Sequence, residues 1–266
     1  MRRIIDAHPL MRSCRLAALV VCGILLAGSA RAQVPAPEGC YPVPDFRPLS
    51  VSQPLNIDLI KQQLLSYRCT RYDGEVAAVL ADAQQWVQLR APQVSRPALV
   101  LDIDETSLSN WTRIKRDDFG YIPNGKCDLK PGEACGDLAW QQSGQAPAIQ
   151  PTLDLFNAAK CTSVPALPNC TKVAVFFVTG RFNEGGAQAF TESNLSSAGY
   201  RNWDGLYLRD PTTRGRPVSE HKSKARADIE AHGFTIIANV GDQDSDLAGG
   251  HAERTFKVPN PFYFIP

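Results

Sequence analysis

From residue 74 onward, hydrophobic positions alternate between two spacings. Residues 97–104, PALVLDID, form an apolar run that stops at two carboxylates. KVAVFFVTG (172–180), GLYLR (205–209), FTIIANVGD (234–242) and RTFKVP (254–259) are further apolar runs, and each predicts a buried strand. Between them the spacing turns helical. Val76, Val79, Leu80, Ala83 and Val87 share one face of a helix expected over about Gly74–Arg90, with Asp73 as its N-cap and another helix before it. Pro151 is suited to open a helix to about Lys160. Asn183 is expected to cap a helix ending before Gly199, and Ser219 one ending at Gly233. Residues 33–54 are Pro-rich and expected to be extended; 91–97 read as a connector; 107–150 read as irregular. Apolar strands alternating with amphipathic helices imply an α/β fold, a parallel sheet covered on both faces.

In such sheets ligands bind at the carboxyl ends of the strands. The first strand ends in Asp102-Ile103-Asp104-Glu105-Thr106, the second in Thr179-Gly180-Arg181, and the fourth in Gly241-Asp242-Gln243-Asp244-Ser245-Asp246. Asp102 with Asp242 or Asp246 supplies oxygen ligands for a hard cation such as Mg²⁺, which would offset the repulsion between neighbouring carboxylates. His221, Lys222, Lys224 and Arg226 lie at the start of their helix, the wrong end for cations. For Lys224 and Arg226 a solvated basic face is expected; for at least one lysine a nearby anion explains the placement better. A metal, a lysine, a hydroxyl and backbone N–H groups around one point make a phosphate site. A carboxylate there can act as the nucleophile.

A rival reading fails. Asp242, Asp244, Asp246 and Glu253 fall at the first, third, fifth and twelfth positions of an EF-hand loop, but Leu247 replaces the glycine required at the sixth, and an apolar strand precedes the loop instead of a helix.

The N-terminus changes the charge and cysteine arithmetic. Arg2, Arg3, Arg12 and Arg15 precede an apolar stretch from Leu16 to Ala27, and Ala30-Arg31-Ala32 is a small-x-small cleavage site. Residues 1–32 read as a secretory signal peptide. The apolar stretch is shorter than the ~18–20 residues of a membrane span, and bulky Val21 before Cys22 disfavours a lipoprotein. Cleavage removes five of 28 basic and one of 27 acidic residues, leaving 23 against 26, a net of −3. That balance gives no support to a nucleic-acid polymer or an anionic membrane as partner. Of eight cysteines six remain, an even number that suggests disulfides in an exported protein. The simplest scheme pairs neighbours: Cys40–Cys69, Cys127–Cys135 and Cys161–Cys170.

DIDETSLSN, APAIQPTLDLFNAA, FFVTGR, ESNLSSAGY, HKSKAR, GDQDSDLAG and RTFKVPNPFYFIP, in that order, resemble the haloacid dehalogenase (HAD) superfamily. Within it the chain resembles the subfamily IIIB secreted acid phosphatases, the class B/C bacterial type and the plant vegetative-storage-protein type, over roughly residues 67–266. The resemblance implies a Rossmann-like HAD core over 97–266 with a small cap at about 107–150, after an N-terminal extended and helical segment, 33–96. It implies Asp102 as nucleophile and Asp104 as general acid and base. It implies phosphate contacts from Thr179, Gly180 and Lys222, and Mg²⁺ bound by Asp102, the Asp104 carbonyl, Asp242 and Asp246. Carboxylate neighbours are expected to raise the Asp104 pKa. Asp244 stands where plant members tend to have Trp, and Trp111 near a position that is often Tyr or another ring. In the cap, Trp111, Phe119, Tyr121 and Trp140 are suited either to stack on a substrate ring or to pack together. The expected protein is a secreted or periplasmic Mg²⁺-dependent acid phosphatase acting on small phosphate monoesters, without stable membrane insertion and compatible with a homo-oligomer. The alternative is a non-catalytic storage or binding protein on the same fold.

Overall fold

The computed structural model describes residues 55–130, 132–165 and 169–265. The expected signal peptide, the Pro-rich segment and Cys40 lie outside them.

Five strands form one parallel sheet: β1 (Pro97–Leu101), β2 (Ala174–Phe182), β3 (Gly205–Arg209), β4 (Thr235–Gly241) and β5 (Thr255–Lys257), in the order β3-β2-β1-β4-β5. β1 is central, and all five of its residues are buried. That explains its unbroken apolar run: a strand covered on both faces has no solvent side for polar residues.

The helices are α1 (Ile57–Tyr67), α2 (Asp73–Arg90), α3 (Trp111–Arg116), α4 (Asp137–Ser143), α5 (Gln150–Lys160), α6 (Ala187–Ser197), α7 (Val218–Ala231) and the short α8 (Asp244–Leu247). Alternate strand residues feed two cores. Leu99, Leu101, Val175, Phe177 and Ile237 pack with Val76, Leu80, Ala83 and Val87 of α2 and Leu155, Phe156 and Ala159 of α5. Ala98, Val100, Phe176, Val178 and Ile236 pack on the other face with Ala225 and Ile229 of α7. Burying each large aliphatic or aromatic side chain contributes roughly 1.5–3 kcal/mol.

Three expected helix starts are corrected. Asp73 caps nothing: α1 runs through a π-helical turn (Arg68–Tyr72) into α2, and the Asp73 carboxylate instead pairs with Arg68 at 2.7 Å. α6 begins after Gly186, whose φ of 84° turns the chain, and not at Asn183. Pro217 precedes α7, so Ser219 lies inside its first turn. The 107–150 segment is more regular than expected. It contains α3 and α4 and the Cys127–Cys135 disulfide. Cys161–Cys170 is also bridged as expected, while the Cys40 end of the third pair lies outside the described residues.

Candidate active site

The carboxyl ends of β1, β2 and β4 meet over one point. Asp102 follows β1 and donates its N–H to Val240 O at 3.0 Å, which seats it beside β4. Asp242 follows β4, and Asp246 returns to the same place from α8. One carboxylate oxygen from each of Asp102, Asp242 and Asp246 lies within 4.8 Å of the others, and all three residues are buried. Gly241 allows this approach, because a Cβ there would stand 2.3 Å from Asp246 Cβ.

Lys222 of α7 enters the cluster from below. Its side chain is 3% exposed; Nζ donates to Asp102, to Val178 O at 2.6 Å, and to Asp246 Oδ1 at 2.9 Å. Burial alone would lower the Lys222 pKa, but the Asp102 and Asp246 charges outweigh it and the pKa is raised. Its helix neighbours divide. Lys224 is exposed as expected. Arg226 is not on a solvated face: it is buried and donates to the carbonyls of Asp246, Ala248 and Gly250, holding α8 in place. His221 is pushed down to about 4 by burial and by Lys222, so it is neutral at ordinary pH.

Asp104 is held differently from the expectation. Arg181, buried at the end of β2, grips it with two bonds, Nε to Oδ2 at 2.9 Å and Nη2 to Oδ1 at 2.6 Å. Asn110 Nδ2 adds a third at 2.9 Å. Burial raises the Asp104 pKa, but Arg181 overcomes it and the net direction is down. The expectation that carboxylate neighbours raise Asp104 is therefore overturned. The raised groups include Asp102, by burial and then by Asp246, Asp242, by burial and then by Asp246, to about 7, and Glu105, by burial, also to about 7.

Thr179 is fully buried, and its Oγ1 accepts from Arg181 N at 3.2 Å. Gly180 faces open space apart from Val218, 3.5 Å from where a Cβ would sit. Asp244 faces solvent and pairs with Lys257, away from the triad. Of the four aromatics of the 107–150 segment, Trp140 is buried and donates to Asn110 Oδ1 at 2.7 Å. Trp111 and Phe119 pack with Phe262 at ring-centroid distances of 5.1 and 6.5 Å. Tyr121 is 71% exposed and is the one of the four that presents its ring to solvent.

Asp102, Asp104, Asp242 and Asp246 thus face two buried cations, Lys222 and Arg181. Three convergent, all-oxygen donors with excess negative charge suit a hard divalent cation. Sequence reasoning missed Arg181 as the partner of Asp104. No local pattern marks the pair, because the two residues lie 77 positions apart and meet only through the pairing of β1 with β2.

The family model of the HAD superfamily, subfamily IIIB (acid phosphatase), matches residues 55–266. The chain belongs to this subfamily. It is 36% identical over 173 residues to the stem 28 kDa glycoprotein of Glycine max, covering 64% of this chain and 61% of that one. It is 32% identical over 171 residues to acid phosphatase 1 of Solanum lycopersicum, covering 64% and 60%. The matches thus span under two thirds of these relatives' own lengths. The class C acid phosphatase from Bacillus anthracis with tungstate bound shares the fold, with a TM-score of 0.55 and 18% identity over 77% of this chain and 86% of that one.

Proposed function

We propose that the chain is a secreted, Mg²⁺-dependent acid phosphatase that hydrolyses small phosphate monoesters through a phosphoryl group carried on Asp102. The observation that carries this reading is the buried Asp102–Asp242–Asp246 triad with Lys222 inside it, beside an Asp104 gripped by Arg181. Asp102, Asp242, Asp246 and the Asp104 carbonyl would hold Mg²⁺, which when bound offsets carboxylate charge and polarises the phosphoryl oxygens. Asp102 attacks phosphorus, and the bond from phosphorus to the ester oxygen breaks. Asp104 gives its proton to the leaving alkoxide, then takes one from the water that attacks the aspartyl-phosphate and releases inorganic phosphate. Thr179, the Gly180 N–H and Lys222 hold phosphoryl oxygens. In the resting site Arg181 keeps Asp104 ionised; an arriving phosphoryl dianion raises its pKa again, and acid pH favours the protonated form. The two disulfides among the described residues support an oxidising compartment, and no helix among those residues is long and apolar enough to cross a membrane.

The test is hydrolysis of p-nitrophenyl phosphate from acid to neutral pH, with Mg²⁺ and with EDTA. Hydrolysis that requires Mg²⁺ is expected. A folded, Mg²⁺-loaded protein that hydrolyses neither this ester nor a panel of nucleotide and sugar phosphates would transfer the reading to a storage or binding protein.

The carboxylates also predict how stability depends on pH. A carboxylate with a raised folded pKa binds more protons folded than unfolded, so it removes stability as pH rises from its unfolded value, ~4. For Asp242 and Glu105 the loss is complete near their folded values of about 7; Asp102 acts in the same direction. Asp104, with a lowered pKa, acts oppositely and only at acid pH. In EDTA the unfolding temperature is expected to fall between roughly pH 5 and 7. Excess Mg²⁺, which binds ionised Asp102 and Asp242, is expected to reduce the fall and to leave the share of Glu105, which is not among the cation's donors. Calorimetry with parallel curves in EDTA and Mg²⁺ would contradict this.

A further inference from the structure

The chain after β5 crosses the carboxylate cluster. Val258 N donates to Gly241 O at 3.0 Å, so the tail leaves the sheet beside the end of β4. Asn260 Nδ2 then donates to Asp242 Oδ2 at 2.7 Å, while its Oδ1 accepts from Phe262 N at 3.0 Å. The turn formed by that second bond fixes which end of the amide faces the carboxylate. Phe262 is buried against Tyr72 and Trp111. The Tyr263 hydroxyl donates to Glu105 Oε2 at 2.7 Å, and Ile265 N donates to Gln243 Oε1 at 3.1 Å.

Two lines of contact run from this tail into the site. Asp242 accepts from Thr106 Oγ1 at 2.9 Å, from Gln243 Nε2 at 2.6 Å, and from Asn260. Two of these three donors depend on the tail, Asn260 directly and Gln243 through Ile265. The second line passes through Glu105, a buried residue at φ 56°, a backbone conformation that side chains with a Cβ rarely adopt. Its carboxylate accepts from Asn110 N at 2.5 Å, from Asn110 Nδ2 at 3.0 Å, and from Tyr263. The same Asn110 Nδ2 donates to Asp104 Oδ1. The Tyr263 hydroxyl thus fixes Glu105, Glu105 fixes Asn110, and Asn110 orients the Asp104 carboxylate that Arg181 grips from the other side.

We propose that Asn260 and Tyr263 are positioning residues: Asn260 aims Asp242 at the cation, and Tyr263, through Glu105 and Asn110, aims Asp104 at the proton it transfers. The inference rests on the reading of Asp242 as a cation ligand and Asp104 as the acid and base. Supports of this kind govern metal affinity and reaction geometry separately from the fold. A tail that merely packed, through Phe262, would alter stability without separating the two.

The test uses the purified protein, Asn260→Ala and Tyr263→Phe. Mg²⁺ affinity is read by titration calorimetry, turnover of p-nitrophenyl phosphate at saturating Mg²⁺, and the unfolding temperature in EDTA. Asn260→Ala is expected to weaken Mg²⁺ binding by about 10- to 100-fold, with turnover recovered at saturation. Tyr263→Phe, which loses only the hydroxyl, is expected to keep the Mg²⁺ affinity and lower kcat about tenfold or more. Asn260→Ser serves if the alanine variant does not fold. Its hydroxyl can accept from Phe262 but is too short to reach Asp242, so it is expected to weaken Mg²⁺ binding as well. An active wild type whose variants match it in affinity and turnover, whatever their stability, overturns the inference alone. A wild type that neither binds Mg²⁺ nor turns over overturns the reading of the site and this inference with it.

Discussion

Asp102→Asn is expected to remove hydrolysis of p-nitrophenyl phosphate by about 10⁴-fold or more, while leaving the cation-free protein at least as stable as wild type. The two halves have one cause. Asp102 is buried beside Asp246 and Asp242, and burial with the Asp246 charge raises its pKa well above the ordinary range despite Lys222. The folded state therefore disfavours its ionised form, and a neutral isostere relieves that cost. The amide keeps the shape of the side chain but cannot attack phosphorus. Steady-state kinetics and thermal unfolding in EDTA check both halves. An unstable variant would show that the Lys222 pair outweighs the repulsion; a variant within tenfold of wild type in turnover would remove Asp102 as nucleophile.

Lys222→Met is expected to have the largest effect on stability, a loss of ~3–5 kcal/mol in EDTA. Lys222 is the cation that touches both Asp102 and Asp246, and its side chain is 3% exposed. Without it, buried carboxylates face one another with nothing between them. Excess Mg²⁺ is expected to return part of the stability by binding the same oxygens, yet not the activity, because no ammonium remains to neutralise the phosphoryl oxygens. Urea unfolding with and without Mg²⁺ measures this. An undiminished transition midpoint in EDTA would mean that the carboxylates take up protons in the folded state and do not need the lysine.

Much of this architecture was legible in the chain, for a physical reason. Parallel strands buried on both faces cannot hide polar residues, so the apolar runs ending at Asp102, Thr179 and Asp242 marked both the sheet and its functional edge. Helix starts were less legible. Asp73, Asn183 and Ser219 are all good capping residues, but a cap is a local preference, and the continuous α1–α2 path, the left-handed Gly186 and Pro217 decided the real boundaries. Arg226 read as a surface cation because it stands in a run of basic residues, whereas its carbonyl partners lie 20–24 residues away. Arg181 and the tail were illegible in the same way. Arg181 meets Asp104 across 77 positions, and Tyr263 meets Glu105 across 158. No local period reports such contacts.

The central claim is that Asp102 carries the phosphoryl group. The most direct measurement is to mix the Mg²⁺-loaded protein with a phosphate monoester labelled on phosphorus, quench with acid on the millisecond scale, and map the label by peptide mass spectrometry. The account predicts a hydroxylamine-sensitive phosphoryl group on the peptide containing Asp102, absent from Asp102→Asn. Steady hydrolysis with no label on that peptide, or with the label on another residue, would contradict it.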